Sequence, residues 1–483
     1  MGRAHGGKNR EKSRWKDRLK GVIRRMLEAK YGVRNFATNG LLFGLKTLGR
    51  LPLFGGFGNR WAGFIHAIRS EHPQAIAMYR KVIVGESGAT PSLRYDLGMS
   101  LLKVGQARDA EQEFRPAIQA LPGRPWLVLA LTQALQDQGL AERVVPDLLK
   151  LAKSMPEECV PEIPFPTYLA HLVSDDPAQV SELNDLVRKH PSAIFATLLL
   201  AKVQALRRDG AASASLFRSA GRIRFGGIED SSAKGTNPRF LILGQAKAGT
   251  SALFQYLSEH PDMVPPLVKE PQYWSQNFNL GQEWYESLFP RLAEGGRRFT
   301  GEGSVTYLLD PNAPKRVFEV MPSVKLIVLL RDPVSRAYSE YWMNRRVGRT
   351  NETFQEAVTR ELQGVPICPL DPPDEGERQI PLGYLVRSAA LPFLKRWMGQ
   401  FPREQMLVLR NEDMAGDLSG TLRKVCQFLD VSPFVVLDPK RHNEGRYVPI
   451  SEELRSRLID WFAPHEAALK TYLVEHFGAG TTG

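Results

Sequence analysis

The residues whose types and spacing could do chemistry begin in "GQAKAGTSAL", 244 to 253, where Lys247 stands inside a loop of small residues, after Gly244 and before Gly249. The apolar run "RFLIL" (239–243) precedes this loop and a helical pattern, "TSALFQYL", follows it. A strand–loop–helix unit leaves the first amides of its helix without intrahelical acceptors and turns the positive end of the helix dipole toward the loop, so it holds anions. Gly244 and Gly249 allow the turn, and the amides from about Lys247 to Ser251 can point at one phosphate. A nucleoside-triphosphate loop needs its lysine directly after the last glycine and a strand-end aspartate for magnesium. Here Thr250 follows Gly249, and "KLIVLLRDP" places Arg331 ahead of Asp332 at the end of the next candidate strand. A lysine in mid-loop suits transfer of a sulfuryl group, whose oxygens carry less charge than those of a phosphoryl group, so that one cation can steady the bridging oxygen without magnesium.

The elements that must position this loop read as a change of grammar along the chain. From 239 onward, short β-branched runs alternate with helical patterns. "RFLIL", "VKLIVLL" (324–330) and "QMLVLR" (405–410) are expected strands, with "RRFTGEG" (297–303) a weaker one. Continuous apolar strands separated by helices predict an α/β fold, a parallel sheet covered on both faces. Residues 346–382, with "PICPLDPPDEGERQIPLG" inside, predict a long Pro-rich loop. Upstream, "PSLRYDLGMSLLKVGQARDAEQEFRPAIQALPGR" (91–124) resembles a tetratricopeptide repeat: Leu97, Gly98 and Leu101 fall on one helix, Ala110, Phe114 and Ala117 on a second, and Pro122 is the stop. Leu131, Leu135, Val144, Leu148, Leu151 and Pro156 form a weaker copy, and Leu200, Ala201, Phe217 and Ala220 belong to another. The expected organisation is a basic arm with an amphipathic segment at 1–59, an all-α repeat domain at 60–225, a linker at 226–238 ("GGIEDSSAKGTNP") and the α/β domain at 239–483.

"GQAKAGTSALFQYLSEHP", "KEPQYW" (269–274) and "LIVLLRDPVSRAYSEYW" together resemble a sulfotransferase that uses 3′-phosphoadenosine 5′-phosphosulfate (PAPS), in its carbohydrate branch, over roughly residues 238 to 450. The resemblance implies a phosphate-loop fold and a 5′-phosphosulfate loop of Gly244, Gln245, Ala246, Lys247, Ala248, Gly249, Thr250, Ser251 and Ala252, with Lys247 catalytic. It assigns the 3′-phosphate to Arg331 and Ser339, for which an arginine fork and a hydroxyl are apt. It makes Glu270 the base that takes the acceptor proton, with Lys269 beside it. Within "GEGSVTYLLDP" (301–311), Glu302 is the second candidate base and Ser304 a candidate acceptor contact. Late in the chain "KRHNEGRYVPIS" (440–451) resembles the family's last cofactor loop, which brings Gly445 and Arg446 to the 3′-phosphate; Glu444 stands where glycan members often carry lysine, and Ala390 where many relatives have tyrosine. The implied product is adenosine 3′,5′-bisphosphate, the implied acceptor a saccharide or glycolipid, and no metal is expected. His260 and His442 read as structural, and the aromatics Tyr273, Trp274, Trp284 and Tyr285 either stack on sugars or pack in the core.

Net charge is +12, and residues 1–34 hold 12 Lys/Arg against 3 Asp/Glu, so the excess sits in the N-terminal arm and the rest is nearly neutral. The total would suit nucleic acid, anionic lipid, acidic glycans or phosphorylated ligands, and its confinement to the arm fits a solvated tail or an arm that meets a surface or a partner; no nucleic-acid partner is expected. The apolar segment 36–58 is interrupted by Lys46 and Arg50, so it either lies on an anionic membrane surface or packs on the next helices. Cys159, Cys368 and Cys426 lack disulfide or metal spacing, which suits a reducing compartment. The expectation is a cytoplasmic enzyme, with the inner membrane surface as an option for the arm and a protein partner as an option for the repeats. Two rivals stay open: a nucleotide kinase with an atypical loop, and a repeat-based adaptor whose catalytic domain is inactive.

Overall fold

The structure is a computed structural model that describes residues 55–68, 71–84, 89–122, 124–154, 168–174, 176–229, 237–293, 295–346, 350, 352–364, 383–436 and 449–478. The basic arm, most of the apolar segment 36–58, most of the Pro-rich loop, and the late loop with His442, Gly445 and Arg446 lie outside the described residues. The chain divides into two compact units, Met1–Leu121 with Trp126–Gln138, and Pro122–Pro125 with Gly139–Gly483. This division cuts through the helical region read at 60–225 and does not follow the 226–238 segment.

In the first unit α1 (Gly55–Ile68) packs on α2 (His72–Val84), α2 on α3 (Pro91–Lys103), and α3 on α4 (Ala107–Ala120); α5 spans Pro125–Asp137. Helix α3 starts where its sequence says it should: Thr90 Oγ1 accepts from the Leu93 amide at 3.3 Å and Pro91 fills the first position, where a missing N–H costs nothing. The same contact recurs in both pairs. Gly63 meets the Tyr79 ring and Gly98 the Phe114 ring, and a Cβ on either glycine would stand within 2.6 Å or 2.4 Å of ring carbon. A glycine inside each first helix thus lets a buried aromatic from the second close against the backbone.

The second unit opens with α6 (Val145–Ser154), α7 (Tyr168–Ser174), α8 (Pro177–Lys189), α9 (Ile194–Leu206) and α10 (Gly210–Phe225). The α/β part follows as β1 (Phe240–Gly244), α11 (Thr250–Ser258), α12 (Gln282–Glu286), β2 (Gly301–Gly303), α13 (Ala313–Val320), β3 (Lys325–Leu330), α14 (Pro333–Arg346) and α15 (Phe354–Leu362). It ends with α16 (Leu391–Met398), β4 (Met406–Arg410), α17 (Asn411–Gly416), α18 (Leu418–Leu429) and α19 (Glu452–Phe477). Helix α10 is joined to the α/β part, since Trp284 Nε1 donates to Ser213 Oγ at 2.8 Å and the Phe217 ring meets Trp284 edge-on at 6.1 Å. Tyr273, Trp274, Trp284 and Tyr285 are all buried in this contact region, so they pack in the core.

Among the described residues the four strands are all parallel, in the order β2-β1-β3-β4. The three continuous apolar runs become β1, β3 and β4; β1 and β3 are buried on both faces as such runs require, and the edge strand β4 leaves Leu407 and Arg410 half-buried. The fourth expected strand shrinks to Gly301–Gly303, because Arg297 and Arg298 are exposed and Phe299 makes only an isolated bridge to Met263. Strand order reverses between β1 and β3, and an open α/β sheet binds its ligand at the carboxyl ends beside such a reversal. The loop after β1 and Arg331 after β3 both emerge there.

Because alanine normally gains about 0.5–1 kcal/mol over glycine inside a helix, Gly98→Ala tests the glycine–aromatic contact. It should instead lower the stability of the first unit by about 1–3 kcal/mol through overpacking on Phe114, read from urea denaturation; a stabilised variant would show that the ring yields freely.

Candidate active site

The loop 245–249 carries two left-handed residues, Lys247 at φ 73° and Gly249 at φ 95°. Glycine takes that conformation without strain, whereas for lysine it is costly and persists only where the surroundings enforce it. Three successive carbonyls show how. Ala246 O accepts from Arg336 at 3.2 Å, Lys247 O from Arg331 at 2.9 Å, and Ala248 O from Asn411 Nδ2 at 3.0 Å. Gln245 adds a fourth tie, its Nε2 donating to the carbonyls of Ser388 (2.8 Å) and Arg387 (3.2 Å). In a trans peptide the N–H of the next residue points opposite to the carbonyl, so drawing the carbonyls back turns amides toward the ligand side. The Ala248 amide is used internally, on Gln245 O at 3.0 Å. The Gly249 N-cap has no side-chain cap, and α11 begins immediately after it, so the helix's first amides are available to an anion. The space beside Gly249 is filled by Asn411 and Met414, where a Cβ would come within 2.5 Å of Asn411 Nδ2.

Arg336 is the buried centre of this anchoring. It lies wholly out of solvent on α14, 2.7 Å from Glu340 one turn later, and also donates to Ser388 Oγ (2.6 Å) and Tyr384 O (2.8 Å). Glu340 is shared with Arg387 at 2.5 Å. Asp332, which stands behind Arg331 rather than at the strand end, serves as the cap of α14, accepting from the Ser335 amide at 2.7 Å. Ser339, expected at the 3′-phosphate, is buried two turns into the same helix.

The second motif reaches the loop. Lys269 Nζ donates to Ser251 Oγ in the first turn of α11 at 2.6 Å and lies 3.5 Å from Glu270 Oε1, with both side chains 28% exposed. Glu270 and Gln272 have positive φ, 55° and 52°. Glu302, the second candidate base, is fully buried on β2; Tyr307 OH (2.7 Å), Ser304 Oγ (2.9 Å) and Tyr285 OH (3.2 Å) all donate to its carboxylate. Burial pushes this carboxyl up to about 7; the three hydroxyls oppose the shift and the charge of Glu270 adds to it. A group so enclosed does not meet an acceptor, and neither does Ser304, which is also buried and accepts from the Gln272 amide at 3.1 Å.

The structure therefore gathers Lys247, the loop through Ala252, Lys269, Glu270 and Arg331 at the carboxyl ends of β1 and β3, while Gly445 and Arg446 fall outside the described residues. Arg336 and Asn411 escaped the sequence reading. The i,i+4 pair Arg336 and Glu340 within "RDPVSRAYSEYW" was a signal for the first; Asn411 follows β4 with none. His260 is structural, held between Ser432 O (2.8 Å from Nε2) and the Asp262 amide (3.0 Å from Nδ1).

Residues 237–442 match the family described as sulfotransferase domain. Among curated relatives, the chain is similar to mouse (Mus musculus) heparan sulfate glucosamine 3-O-sulfotransferase 3A1, 31% identical over 41% of this chain and 47% of the relative. It is also similar to mouse bifunctional heparan sulfate N-deacetylase/N-sulfotransferase 4, 28% identical over 49% and 30%. The chain thus spans less than half the length of these curated relatives. A crystal structure of a sulfotransferase from Alicyclobacillus acidocaldarius is 30% identical over 49% of this chain and 96% of that one, with a TM-score of 0.41.

Removing one partner of a buried ion pair strands the other charge, at a cost of roughly 3–5 kcal/mol. Arg336→Met should lose that much stability in denaturant titration and loosen the loop whose Ala246 carbonyl it holds; a loss under about 1 kcal/mol would show that Arg387 alone satisfies Glu340.

Proposed function

With residues 237–442 a sulfotransferase domain, we propose that the protein moves a sulfuryl group from PAPS to a hydroxyl or amine of a saccharide, leaving adenosine 3′,5′-bisphosphate. The observation that carries the proposal is the junction of the two motifs: Lys269 bonded to Ser251 brings Glu270 beside the helix start that heads the phosphate loop. The names of the heparan sulfate relatives support a saccharide acceptor.

The donor supplies the sulfuryl group and an anionic leaving group, and the residues present fit it: an uncapped helix start behind a glycine, with the loop carbonyls drawn away. The amides from Gly249 into α11 hold the 5′-phosphate. Lys247 sets a positive charge where negative charge grows on the bridging oxygen. Glu270 takes the proton from the acceptor, and Lys269 holds that carboxylate close to the loop. Arg331 takes the 3′-phosphate, with Ser339, Gly445 and Arg446 assigned to the same group by resemblance. Arg331 has a double duty, since one of its five N–H donors already supports the loop at Lys247 O. The kinase alternative is disfavoured because Thr250, not a lysine, follows Gly249. The helical pairs of the first unit, taken as tetratricopeptide-like, would serve a protein partner.

Lys247→Ala should reduce turnover of PAPS by at least about 100-fold with an unchanged circular dichroism spectrum; a variant that keeps wild-type turnover contradicts the assignment. Glu270→Gln should lower kcat by about 100-fold or more while the Kd for donor stays constant, and equal losses in both would make Glu270 a binding residue.

A further inference from the structure

Outside the groups just assigned, one buried carboxylate, Glu302, ties together the segment that follows Glu270. Ser304 Oγ donates to Glu302 Oε2 at 2.9 Å and accepts from the Gln272 amide at 3.1 Å. Tyr307 OH donates to Glu302 Oε1 at 2.7 Å and accepts from the Tyr273 amide at 2.9 Å. Two consecutive amides of the segment that follows Glu270 are thus gripped through two hydroxyls by a single acid, with Glu302, Ser304 and Tyr307 all at 0% exposure. The segment needs holding, because Glu270 and Gln272 both sit in the left-handed region, which costs a non-glycine residue roughly 1–2 kcal/mol.

We infer that Glu302 is a positioning residue: its carboxylate, acting through Ser304 and Tyr307, locks the backbone at Gln272 and Tyr273 and thereby presents Glu270 to the acceptor. The inference rests on the sulfuryl-transfer reading for its kinetic consequence, but its structural consequence stands alone. A hydroxyl has one proton to give. While Glu302 is ionised, both protons go to it and both amides find a lone pair. A neutral acid or an amide at 302 brings a donor of its own, so at least one hydroxyl proton loses its acceptor in a region without water access, and the grip weakens.

The ionisable groups that face Glu302 are Tyr285 of α12, Tyr307 in the turn after β2, and Glu270 in the gripped segment itself. Burial raises the Glu302 carboxyl from an ordinary 4.5 to about 7. The native state therefore keeps a proton between these values that the unfolded chain has lost, and this group's contribution to stability falls as pH rises through that window. The grip strengthens over the upper end of the same window, as Glu302 ionises, so kcat should climb as pH passes about 7.

The test compares wild type, Glu302→Gln, Ser304→Ala, the double variant, and Tyr307→Phe as a second probe if the glutamine variant fails to fold. Three quantities are read: kcat for PAPS with desulfated heparan sulfate as acceptor, Kd for adenosine 3′,5′-bisphosphate, and hydrogen exchange at the Gln272 and Tyr273 amides with Ile242 of β1 as control. Expected for Glu302→Gln is a loss of about 10- to 100-fold in kcat, the scale of a misplaced catalytic group, with bisphosphate Kd unchanged. Exchange should be faster at Gln272 and Tyr273 only, and the rise of kcat near pH 7 should disappear. The double variant should be little worse than the worse single one, since both break the same strut. Unchanged exchange at those two amides, or losses that multiply independently, would overturn the inference, as would a parallel loss of bisphosphate affinity. If wild type releases no bisphosphate from PAPS, the functional reading fails, and the exchange data still decide the grip.

Discussion

Three successive peptide carbonyls in the loop after β1 each accept a hydrogen bond from a side chain rooted at another strand end: Arg331 after β3, Arg336 on the helix behind it, and Asn411 after β4. Everything else in the site depends on that anchoring. It holds Lys247 in a left-handed conformation that its Cβ resists, and it turns the peptide planes so that the amides point away from these donors. Two of the three donors are cationic, and bonds to charged groups contribute about 1.5–3 kcal/mol each, enough to offset the strain at one residue. The loop manages without a lysine after Gly249 because its positive field comes from amides, a helix dipole and mid-loop Lys247.

The sheet makes this anchoring possible. Parallel pairing in the order β2-β1-β3-β4 delivers four chain exits at one edge, and each exit contributes one component. β1 gives the loop, β3 gives Arg331 and the helix with Arg336, β4 gives Asn411, and β2 gives Glu302 with Ser304 just beyond it. The second motif is fastened twice to this frame. Lys269 ties it to Ser251 at the loop's helix, and the hydroxyls that bind Glu302 tie it to β2. Lys247 and Glu270, the proposed catalytic pair, thus lie on separate segments, each bent into positive φ and each held by polar partners rather than by its own conformational preference.

What was legible in the sequence follows physical lines. "RFLIL", "VKLIVLL" and "QMLVLR" announced themselves because a strand buried on both faces must be continuously apolar. The loop was legible because glycine spacing and the lysine's place in it are local features. The short strand β2 was legible only in part: "RRFTGEG" read as a weaker strand, but that only Gly301–Gly303 would pair, with the Phe240 ring so close that a Cβ on Gly301 would stand 2.2 Å from it, is a tertiary fact that no local pattern encodes. Glu302 looked like a second base because type and position suit one, and only its complete enclosure removes it from the acceptor. The aromatic quartet around Trp284 was ambiguous for the same reason, since burial is a tertiary property. The helical region looked like one domain from its periodicity, yet tertiary contacts divide it, with α10 fastened to the α/β part through Ser213 and Trp284.

The most direct measurement is calorimetric titration of the full chain with adenosine 3′,5′-bisphosphate, with ATP as control, for wild type and Arg331→Ala. Tight binding of the bisphosphate in preference to ATP, abolished by Arg331→Ala, is the expected result. Preference for ATP, or binding of neither nucleotide, would contradict a PAPS-dependent sulfotransferase.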